Sequence, residues 1–550
     1  MDPPAPSRVP PWQRADPLKV TAGFLFLLFL LVVYLPVLAL AAESLAALAG
    51  DPVPYLSLLL PLGRRGGLLL LSTALGLAVA ATCVLTGVPA ATWLWRHRSG
   101  VPGLVRWLLV LMLPVSAVLH ALAWTTAGRV LSGLLPGPGG GPVPLHGWGI
   151  TWWVQSMLLL PVATGIILVG LELVDPDLLD AARIPRSDMA AYTRVVLPLA
   201  GPFVAAAAGL VFLLSVTDYS VPSLFSVNVY ALEVFADFSA TASPVSALFL
   251  ALPLMALAAL VVILSQYRLR RAFQKAAWYR TTWNVPLEWP VWFRTAQVAG
   301  VALLLLAAGV PLAALAWDAL GGPDCPGCTL PATGEITFSV ATALLAALIS
   351  LPLAAGAGAF MARGGPGGRA AWVLSLLPLA IPAPLAGIAI LSAAGSAGLS
   401  SGVAGPLLPA LAGVVRFAPV AALILCAQIR FTEPALLDAA RVFSGTLHRT
   451  LTDILLPLML PGLAFAAGMV FSLTLGELGA TLLVLPPGSS TLTLRLYNYL
   501  HYGATASVGS VGLVLAALVA GAGILVLVVL RGTLQGRQNR KTACRRGQGT

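Results

Sequence analysis

Long apolar stretches, separated by short polar segments, run along the whole chain. Twelve of them stand out, near residues 20–42, 67–95, 103–127, 149–173, 199–217, 245–267, 297–317, 337–362, 370–394, 408–430, 458–475 and 508–530. A helix needs roughly 20 consecutive apolar residues with few charges to cross a bilayer, and most stretches are close to that length. The pattern therefore predicts an all-α polytopic membrane protein with about twelve transmembrane helices.

The composition agrees with this class. Of the 550 residues, 59% are hydrophobic and only 9% are charged, and the mean hydropathy is +0.93. Soluble proteins have about 25% charged residues, so the composition argues against a large soluble enzyme. The net charge of +11 does not indicate a nucleic-acid partner, because the basic residues of membrane proteins accumulate in cytoplasmic loops.

The positions of the basic residues predict the orientation in the membrane. If the N-terminus is cytoplasmic, 26 of the 31 Lys and Arg residues fall in segments on that side. The other five are Arg64, Arg65, Arg129, Arg416 and Arg495. Such an excess marks the cytoplasmic side of a membrane protein. We therefore expect a multi-pass protein of the inner (cytoplasmic) membrane with both termini in the cytoplasm.

A short polar phrase occurs twice. LLDAAR lies at 178–183 and again at 436–441, and an LP pair follows each copy, at 197–198 and 456–457. Further identities at nearly the same spacing are Pro161 with Pro419, Pro176 with Pro434, Gly209 with Gly468, Val211 with Val470 and Phe212 with Phe471. Each copy of the phrase falls between the fourth and fifth predicted spans of its half.

This spacing predicts an internal duplication. Residues 1–285 would form the first six-span repeat, with a basic cytoplasmic linker at its end, and residues 286–550 the second, with a basic cytoplasmic tail. Because six is an even number, both repeats would cross the membrane in the same direction, as parallel repeats related by an axis along the membrane normal.

Each copy of the phrase follows a proline, which is favoured at the first position of a helix. Alanine has high helix propensity and little bulk, so we expect a short cytoplasmic helix that another protein can approach closely. Asp180 and Asp438 lie near its start, and Arg183 and Arg441 lie one turn later, where each can pair with the acid. Two alternatives stay open: a socket for a two-fold partner, or surface loops inherited through duplication.

The segments DAARIPRSDMAAYTRVVLP and DAARVFSGTLHRTLTDILLP resemble the EAA loop of ABC importer permeases, in which EAA is followed by a glycine and then by I-x-LP. In that family the loop forms a coupling helix that docks in a cleft of the ATPase subunit. The resemblance implies an ATPase-coupling role for Asp180, Ala181, Ala182, Arg183 and Pro198 in the first loop and for Asp438, Ala439, Ala440, Arg441, Gly445 and Pro457 in the second.

Both loops depart from the family pattern. Aspartate replaces glutamate in both copies, which keeps the charge. Arg186 stands at the place of the family glycine in the first loop, which is also one residue shorter, whereas Ser444 stands there in the second and Gly445 follows it. The first loop can therefore turn differently, and the two docking sites need not be equivalent.

Two six-span halves in one chain are similar to the fused permeases of ferric iron, thiamine and related uptake systems. The stretches TDYSVPSLFSVNVYALEVFADFSA and LGELGATLLVLPPGSSTLTLRLYNYLHYGA look most like the iron-type branch. The resemblance implies a type I ABC importer permease fold and a small solute, with ferric iron as the first expectation. It also implies two ABC ATPase subunits, which use ATP and Mg, and an extracytoplasmic binding protein as partners, together with membrane lipid and no nucleic acid.

The chain itself shows no catalytic or cofactor motif. A phosphate-binding P-loop requires a lysine after glycine, but Lys19, Lys275 and Lys541 follow Leu, Gln and Arg. We therefore expect no enzymatic activity, no bound cofactor and no metal. Cys325 and Cys328 form a CPGC pair that could be a disulfide in an oxidising compartment, and free thiols are the alternative.

Two acidic residues occupy matching places in the two halves. Asp218 lies about 20 residues after Pro198, and Glu477 lies about 20 after Pro457, which corresponds to roughly 30 Å of helix. We hypothesise that both carboxylates flank the outer mouth of a central pathway and favour a cationic solute. The alternative is that they cap helix ends or pair with arginines. Arg416 lies inside or near the tenth span, where it could oppose an anionic chelate or extend to the surface.

A secondary transporter driven by an ion gradient is the alternative function, because parallel six-span repeats occur there as well. It predicts carboxylates inside the spans and no partner subunits. Acidic residues are nearly absent from the predicted spans, and Glu172 lies at an inner end. The sequence therefore favours the importer subunit.

Overall fold

The apolar pattern is realised as a bundle of helices. The computed structural model describes residues 17–97, 100–112, 115–134, 146–275, 287–319, 333–398, 405–432, 450–502 and 505–547. All regular elements within these ranges are helices. Ten helices in them are long and apolar enough to cross a membrane, or eleven spans are present if a bent pair counts as one. The chain is thus an all-α polytopic membrane protein, which confirms the predicted fold class.

Short helices separate the long spans of the first half. Its elements are α1 (Pro17–Gly50), α2 (Val53–Leu59), α3 (Arg64–Arg96), α4 (Val101–Met112), α5 (Ala117–Leu134), α6 (Trp148–Glu172), α7 (Pro176–Arg183), α8 (Asp188–Ala191), α9 (Leu197–Val216), α10 (Ser220–Leu224), α11 (Tyr230–Thr241) and α12 (Pro244–Lys275). A π-helical turn at Tyr192–Val196 connects α8 to α9. The helices α7 and α8 therefore lie between the spans α6 and α9.

The second half has a similar order. Its elements are α13 (Val291–Ala319), α14 (Thr333–Met361), α15 (Gly365–Leu376), α16 (Ala383–Ser396), α17 (Leu407–Arg430), α18 (Leu456–Leu475), α19 (Thr481–Val484), α20 (Leu492–Tyr502) and α21 (Thr505–Gly547). A 3₁₀ turn at Leu377–Ala380 follows α15, and a π-helical turn at Thr450–Leu455 precedes α18.

Two of the twelve predicted spans are not single helices. The predicted span 103–127 is divided between α4 and α5, and the predicted span 370–394 bends by 97° where α16 begins. Pro378 and Pro382 lie at this bend, and proline removes a backbone donor and collides with the preceding turn. However, α6 continues through Pro161, so proline alone does not break a helix here.

The first helix of each half packs on the other half. α1 lies against α14 and α16, and α13 lies against α3 and α5. Glycines allow this approach: a Cβ added at Gly356 of α14 would lie 2.6 Å from the Cβ of Leu25, and one at Gly300 of α13 would lie 2.6 Å from the carbonyl oxygen of Thr86. Small residues commonly bring membrane helices together in this way. The two halves therefore share one core.

Corresponding hydrogen bonds tie α11 and α20 to the second span of their own halves. The first backbone N–H of α11, at Tyr230, donates to Ser72 Oγ in α3 at 2.8 Å. The first backbone N–H of α20, at Leu492, donates to Ser339 Oγ in α14 at 2.9 Å. Each serine satisfies a donor that a helix start leaves without an intrahelical partner.

An ion pair accompanies each of these hydrogen bonds, with its charges reversed between the halves. Arg64 of α3 lies 3.2 Å from Glu233 of α11, whereas Glu335 of α14 pairs with Arg495 of α20. These contacts join corresponding elements of the two halves, and the division of the chain into two repeats stays a prediction.

Candidate functional site

The first predicted docking segment forms the short helix α7. Its N-cap residue Asp175 accepts a hydrogen bond from the backbone N–H of Asp177 at 3.1 Å, and Pro176 occupies the first helical position. Pro176 and Leu179 are buried against the bundle. This is the proline-initiated helix that the sequence predicts, capped by an acidic side chain.

The outer face of α7 carries the other residues of the phrase. Asp180 and Ala181 are exposed, Ala182 is half-buried, and the Leu178 side chain is 47% exposed. An exposed leucine beside small alanines gives a face on which another protein can pack closely.

Arg183 fixes the C-terminal end of α7. Its guanidinium lies 2.7 Å from Asp188 Oδ1 and 3.6 Å from Asp180 Oδ1. The i+3 pair with Asp180 that the sequence suggests is present, but Asp188 is the closer partner. The other oxygen of Asp188 accepts a hydrogen bond from the backbone N–H of Glu288 at 2.6 Å. Asp188 thus connects α7 to the segment that leads into α13.

The π-helical turn after α8 attaches the docking segment to α3. The Tyr192 hydroxyl lies 2.6 Å from the Thr92 hydroxyl, and its ring meets the Trp289 ring edge-on at 5.3 Å between centroids. Pro198 is the second residue of α9, directly after this turn. The segment that begins with α7 is therefore in contact with α3 and continuous with α9.

Most of the second predicted docking segment lies outside the described residues. This applies to Asp438, Ala439, Ala440, Arg441 and Gly445, and also to the difference in turn geometry expected between the two loops. Pro457 is described, as the second residue of α18. A π-helical turn precedes α18 just as one precedes α9.

A cavity of about 160 Å³ lies between the two halves. The starts of α5 and α16, the spans α6 and α17, and the ends of α9 and α18 border it. Asp218, Arg416 and Glu477 all line this cavity. One water molecule needs about 10 to 15 Å³, so the cavity has room for a small solute.

The broken spans meet at this cavity. Ser116 lies between α4 and α5, and Ala383 begins α16, and both line the wall. Irregular backbone at membrane depth is tolerated where it is buried in protein or lines a cavity. The cavity therefore gives a physical reason for the two departures from the predicted spans.

An ion pair forms one side of the wall. Arg416 Nη1 donates to Glu477 Oε2, and Glu477 Oε1 accepts a hydrogen bond from the backbone N–H of Ala480 at 2.9 Å. The side chains of Arg416 and Glu477 are only 19% and 6% exposed. Glu477 therefore neutralises a nearly buried arginine and also caps the start of α19.

Asp218 is bound by neutral donors instead. Its oxygens accept hydrogen bonds from Ser220 N at 3.0 Å, Ser220 Oγ at 2.5 Å, Val221 N at 3.3 Å and Gln155 Nε2 at 3.2 Å. Gln155 Oε1 in turn accepts a hydrogen bond from Ser215 Oγ at 2.7 Å. Asp218 thus caps the start of α10, and about four acceptor positions of a carboxylate are in use.

Burial raises the pKa of the Asp218 carboxyl, which lies just beyond the end of the fifth span, and the hydrogen bonds from Ser220, Gln155 and Val221 oppose that rise. A carboxyl in this setting is a weaker attractant for cations than an open carboxylate, because desolvation disfavours its charged form.

The polar contacts of the two halves differ at matching positions. In the second half, Gly413 stands at the position equivalent to Gln155, and Thr474 at the position equivalent to Ser215. The Thr474 hydroxyl has no hydrogen-bond partner among the described residues. Arg416 stands at the position equivalent to Leu158 of the first half. In the second half, therefore, the partner of the acidic residue comes from one turn further along the fourth span.

The hydroxyl groups of the cavity wall, among them those of Ser116 and Tyr219, were not predicted from the sequence. Ser116 Oγ and Tyr219 Oη are buried, and neither has a hydrogen-bond partner within the described part of the chain. Tyr219 directly follows Asp218 and could have been suspected from that neighbour. No sequence signal marks Ser116, because its place in the wall depends on the break between α4 and α5.

The three predicted pathway residues are thus brought together, although both carboxylates make the capping and arginine contacts of the structural alternative. Their part in transport stays a prediction. Cys325 and Cys328 lie outside the described residues, and Cys83 and Cys426 are buried free thiols. No group of three or more His, Cys, Asp or Glu side chains that could hold a metal ion occurs in the ranges given above.

A comparison with known proteins finds permeases. The chain is 35% identical over 68 residues to the putative 2-aminoethylphosphonate transport system permease protein PhnV of Salmonella typhimurium, and equally to those of Salmonella choleraesuis and Salmonella paratyphi A. The matched segment is 12% of this chain and 26% of each relative, so the chain spans about a quarter of the length of the curated relatives it matches. No family model matches the chain. The similarity supports a permease of the ABC importer type.

Proposed function

We propose that the chain is the membrane-spanning permease subunit of an ABC-type importer. The helix α7 carries this proposal: it is a capped, partly exposed helix between the fourth and fifth spans, at the place of the EAA loop that the sequence resembles. The partial similarity to permease proteins of a transport system is consistent with it.

The contacts of α7 suit a coupling element. It directly follows α6, which carries Gln155, and it leads through α8 and the π-helical turn into α9, which ends just before Asp218. Both spans that flank α7 therefore reach the cavity. The hydrogen bonds of Asp188 and Tyr192 hold the segment to its neighbours. A force on α7 would thus reach the cavity wall along packed helices.

The proposed partners follow from the same arrangement. Two ATPase subunits would dock at α7 and at the corresponding segment before α18, on the cytoplasmic side that the basic residues predict. They would use ATP and Mg, and this chain would carry no ATPase site. A separate binding protein would deliver the solute to the outer face of this inner-membrane protein, near α11 and α20.

The solute is a small molecule or ion. The resemblance to the iron-type branch favours ferric iron, whereas the relatives matched by sequence carry 2-aminoethylphosphonate in their name. The cavity volume of about 160 Å³ has room for either class.

The test is a mild-detergent purification of the tagged chain from its native cell. We expect a P-loop ATPase to co-elute at about two copies per chain. Ala181→Arg places a bulky charge on the exposed face of α7 and should release that ATPase. The matched control is Ala240→Arg, at an exposed alanine of α11, which should leave the complex intact.

The alternative function has a distinct outcome. A chain that elutes alone and transports in vesicles without ATP is a secondary transporter. That result would contradict the proposal and would leave the repeated phrase as a remnant of duplication.

A further inference from the structure

We propose that the cavity between the two halves binds a small zwitterionic solute, with its oxyanion group on Arg416, Ser116 and Tyr219 and its cationic group facing Glu477. The inference rests on the proposed function in so far as the bound molecule is the transported solute. Several donors and acceptors in the cavity wall remain available for such a solute.

The guanidinium of Arg416 has spare donors. An arginine side chain carries five N–H groups, and within the described residues a hydrogen-bond partner exists for Nη1 alone, which is Glu477. The Phe417 ring, 5.3 Å from the guanidinium carbon, stacks against the same group. Arginine presents its N–H groups in a planar fork that matches carboxylate and phosphonate oxygens.

Two buried hydroxyls add to these donors. Ser116 and Tyr219 are 6% and 2% exposed, and a buried polar group without a partner is costly. Both pack beside Glu477: a Cβ at Gly476 would lie 2.5 Å from the Ser116 Cβ, and one at Gly479 would lie 2.9 Å from Cε1 of Tyr219. The two glycines thus make room for hydroxyl-bearing side chains next to the ion pair. A bound oxyanion would satisfy these hydroxyls.

An anion alone would fit the local charge poorly. Glu477 already neutralises Arg416, the guanidinium that lines the described part of the wall, so no net positive charge is left for an anion. The acceptor positions of Asp218 are filled by protein donors, but each oxygen of Glu477 accepts one hydrogen bond and has a second lone pair available. A cationic group on the same solute would take these positions and balance the charge of its oxyanion group.

A bare cation fits poorly as well. Arg416 lies in direct contact with Glu477 and repels positive charge, and the hydrogen bonds around Asp218 already occupy its oxygens. The Arg416–Glu477 pair instead presents a positive and a negative group side by side. Its complement is a small molecule whose opposite charges are a few ångströms apart, and the cavity volume of about 160 Å³ limits its size.

The test compares three matched probes on the purified full-length chain by titration calorimetry. 2-Aminoethylphosphonate carries both charges, ethylphosphonate carries the anion alone, and ethylamine carries the cation alone. We expect the zwitterion to bind at least about tenfold more tightly than either of the other two, because it makes both sets of contacts. If ethylphosphonate or ethylamine binds as tightly as the zwitterion, the proposal is wrong. Absence of binding of all three probes at millimolar concentration also contradicts it.

Paired variants locate the site. Arg416→Gln with Glu477→Gln removes the ion pair of the cavity without leaving one buried charge alone, and should weaken zwitterion binding roughly ten- to a hundredfold. The matched control is Arg495→Gln with Glu335→Gln, which removes an ion pair of the same residue types between α20 and α14. Equal losses in both double variants would overturn the assignment.

Two milder variants test the proposed donors in a chain that keeps its packing. Tyr219→Phe and Ser116→Ala each remove one hydroxyl and preserve packing, and each should weaken zwitterion binding several-fold without changing the thermal midpoint of unfolding. Unchanged binding in both would contradict the proposed donors.

ATPase co-elution on the same preparation separates the two proposals: a chain that keeps the ATPase but binds ethylamine alone remains an importer subunit with a different solute.

Discussion

Arg416 and Glu477 form an ion pair in the cavity wall, at positions where the first half has Leu158 and Asp218. The matching acids thus obtain different partners, an arginine in one half and a glutamine amide in the other. A cavity between two similar halves is in this way made chemically asymmetric. A solute with two unlike ends would therefore bind there in one orientation.

We expect Arg416→Gln to destabilise the chain by about 3 kcal/mol, because it leaves Glu477 as an uncompensated, nearly buried charge. The double variant with Glu477→Gln should cost less than this single variant, since neither charge remains. Thermal unfolding of the purified chain in detergent measures both. A double variant at least as unstable as the single one would contradict the importance of charge pairing.

We expect Gly476→Ala to close part of the cavity. The new methyl group would lie 2.5 Å from the Cβ of Ser116, and overpacking of this kind costs about 1–3 kcal/mol. The readout is the thermal midpoint of unfolding together with zwitterion binding, and both should fall. Gly309→Ala in α13 is the control, because its new methyl group would meet no atom within 4 Å outside its own helix. Similar losses in the two variants would argue against a specific clash.

We expect Ser339→Ala to loosen α20. The variant removes the acceptor of the Leu492 N–H, which should cost about 1 kcal/mol. Hydrogen exchange at the start of α20 should become faster, while exchange in α11 stays unchanged. Ser72→Ala should show the converse pattern, with faster exchange in α11. Ser396→Ala, at an exposed serine, is the control, and equal acceleration in it would refute the assignment.

We expect Asp188→Asn to weaken coupling between ATP hydrolysis and transport. Asp188 receives both the Arg183 guanidinium and the Glu288 N–H, and the amide replaces one acceptor oxygen by a donor. In proteoliposomes with the ATPase partner, hydrolysis should persist while uptake falls several-fold. Asp51→Asn, at an exposed position directly after α1, should change neither. Full uptake by the Asp188 variant would show that this connection is not needed.

Apolar length by itself determined most of the architecture. Ten predicted spans recur as long helices, and roughly 20 apolar residues with few charges are what a helix needs to cross a bilayer. The proline shortly before the first LLDAAR copy and the alanines within it likewise determined α7, since capping and helix propensity act within a few residues. These features depend on neighbours in sequence and can be predicted from it.

Tertiary structure decided where a span breaks. Proline stands within α1 and α6 as well as at the bend before α16, so the local sequence does not distinguish a tolerated proline from a break. Whether freed backbone groups find partners depends on the surrounding helices and on the cavity.

The site required tertiary structure for the same reason. The position of Glu477 in the sequence is equally compatible with a pathway carboxylate and with a structural ion pair, and its partner Arg416 lies 61 residues away. No sequence signal marks Ser116, and the only one for Tyr219 is its neighbour Asp218. Packing against Gly476 and Gly479 places both side chains in the wall of the same cavity as that pair. Short-range propensities and apolar length can be read directly from the sequence. Whether buried charges and hydroxyls find partners depends on which distant helices meet, and only the tertiary structure decides that.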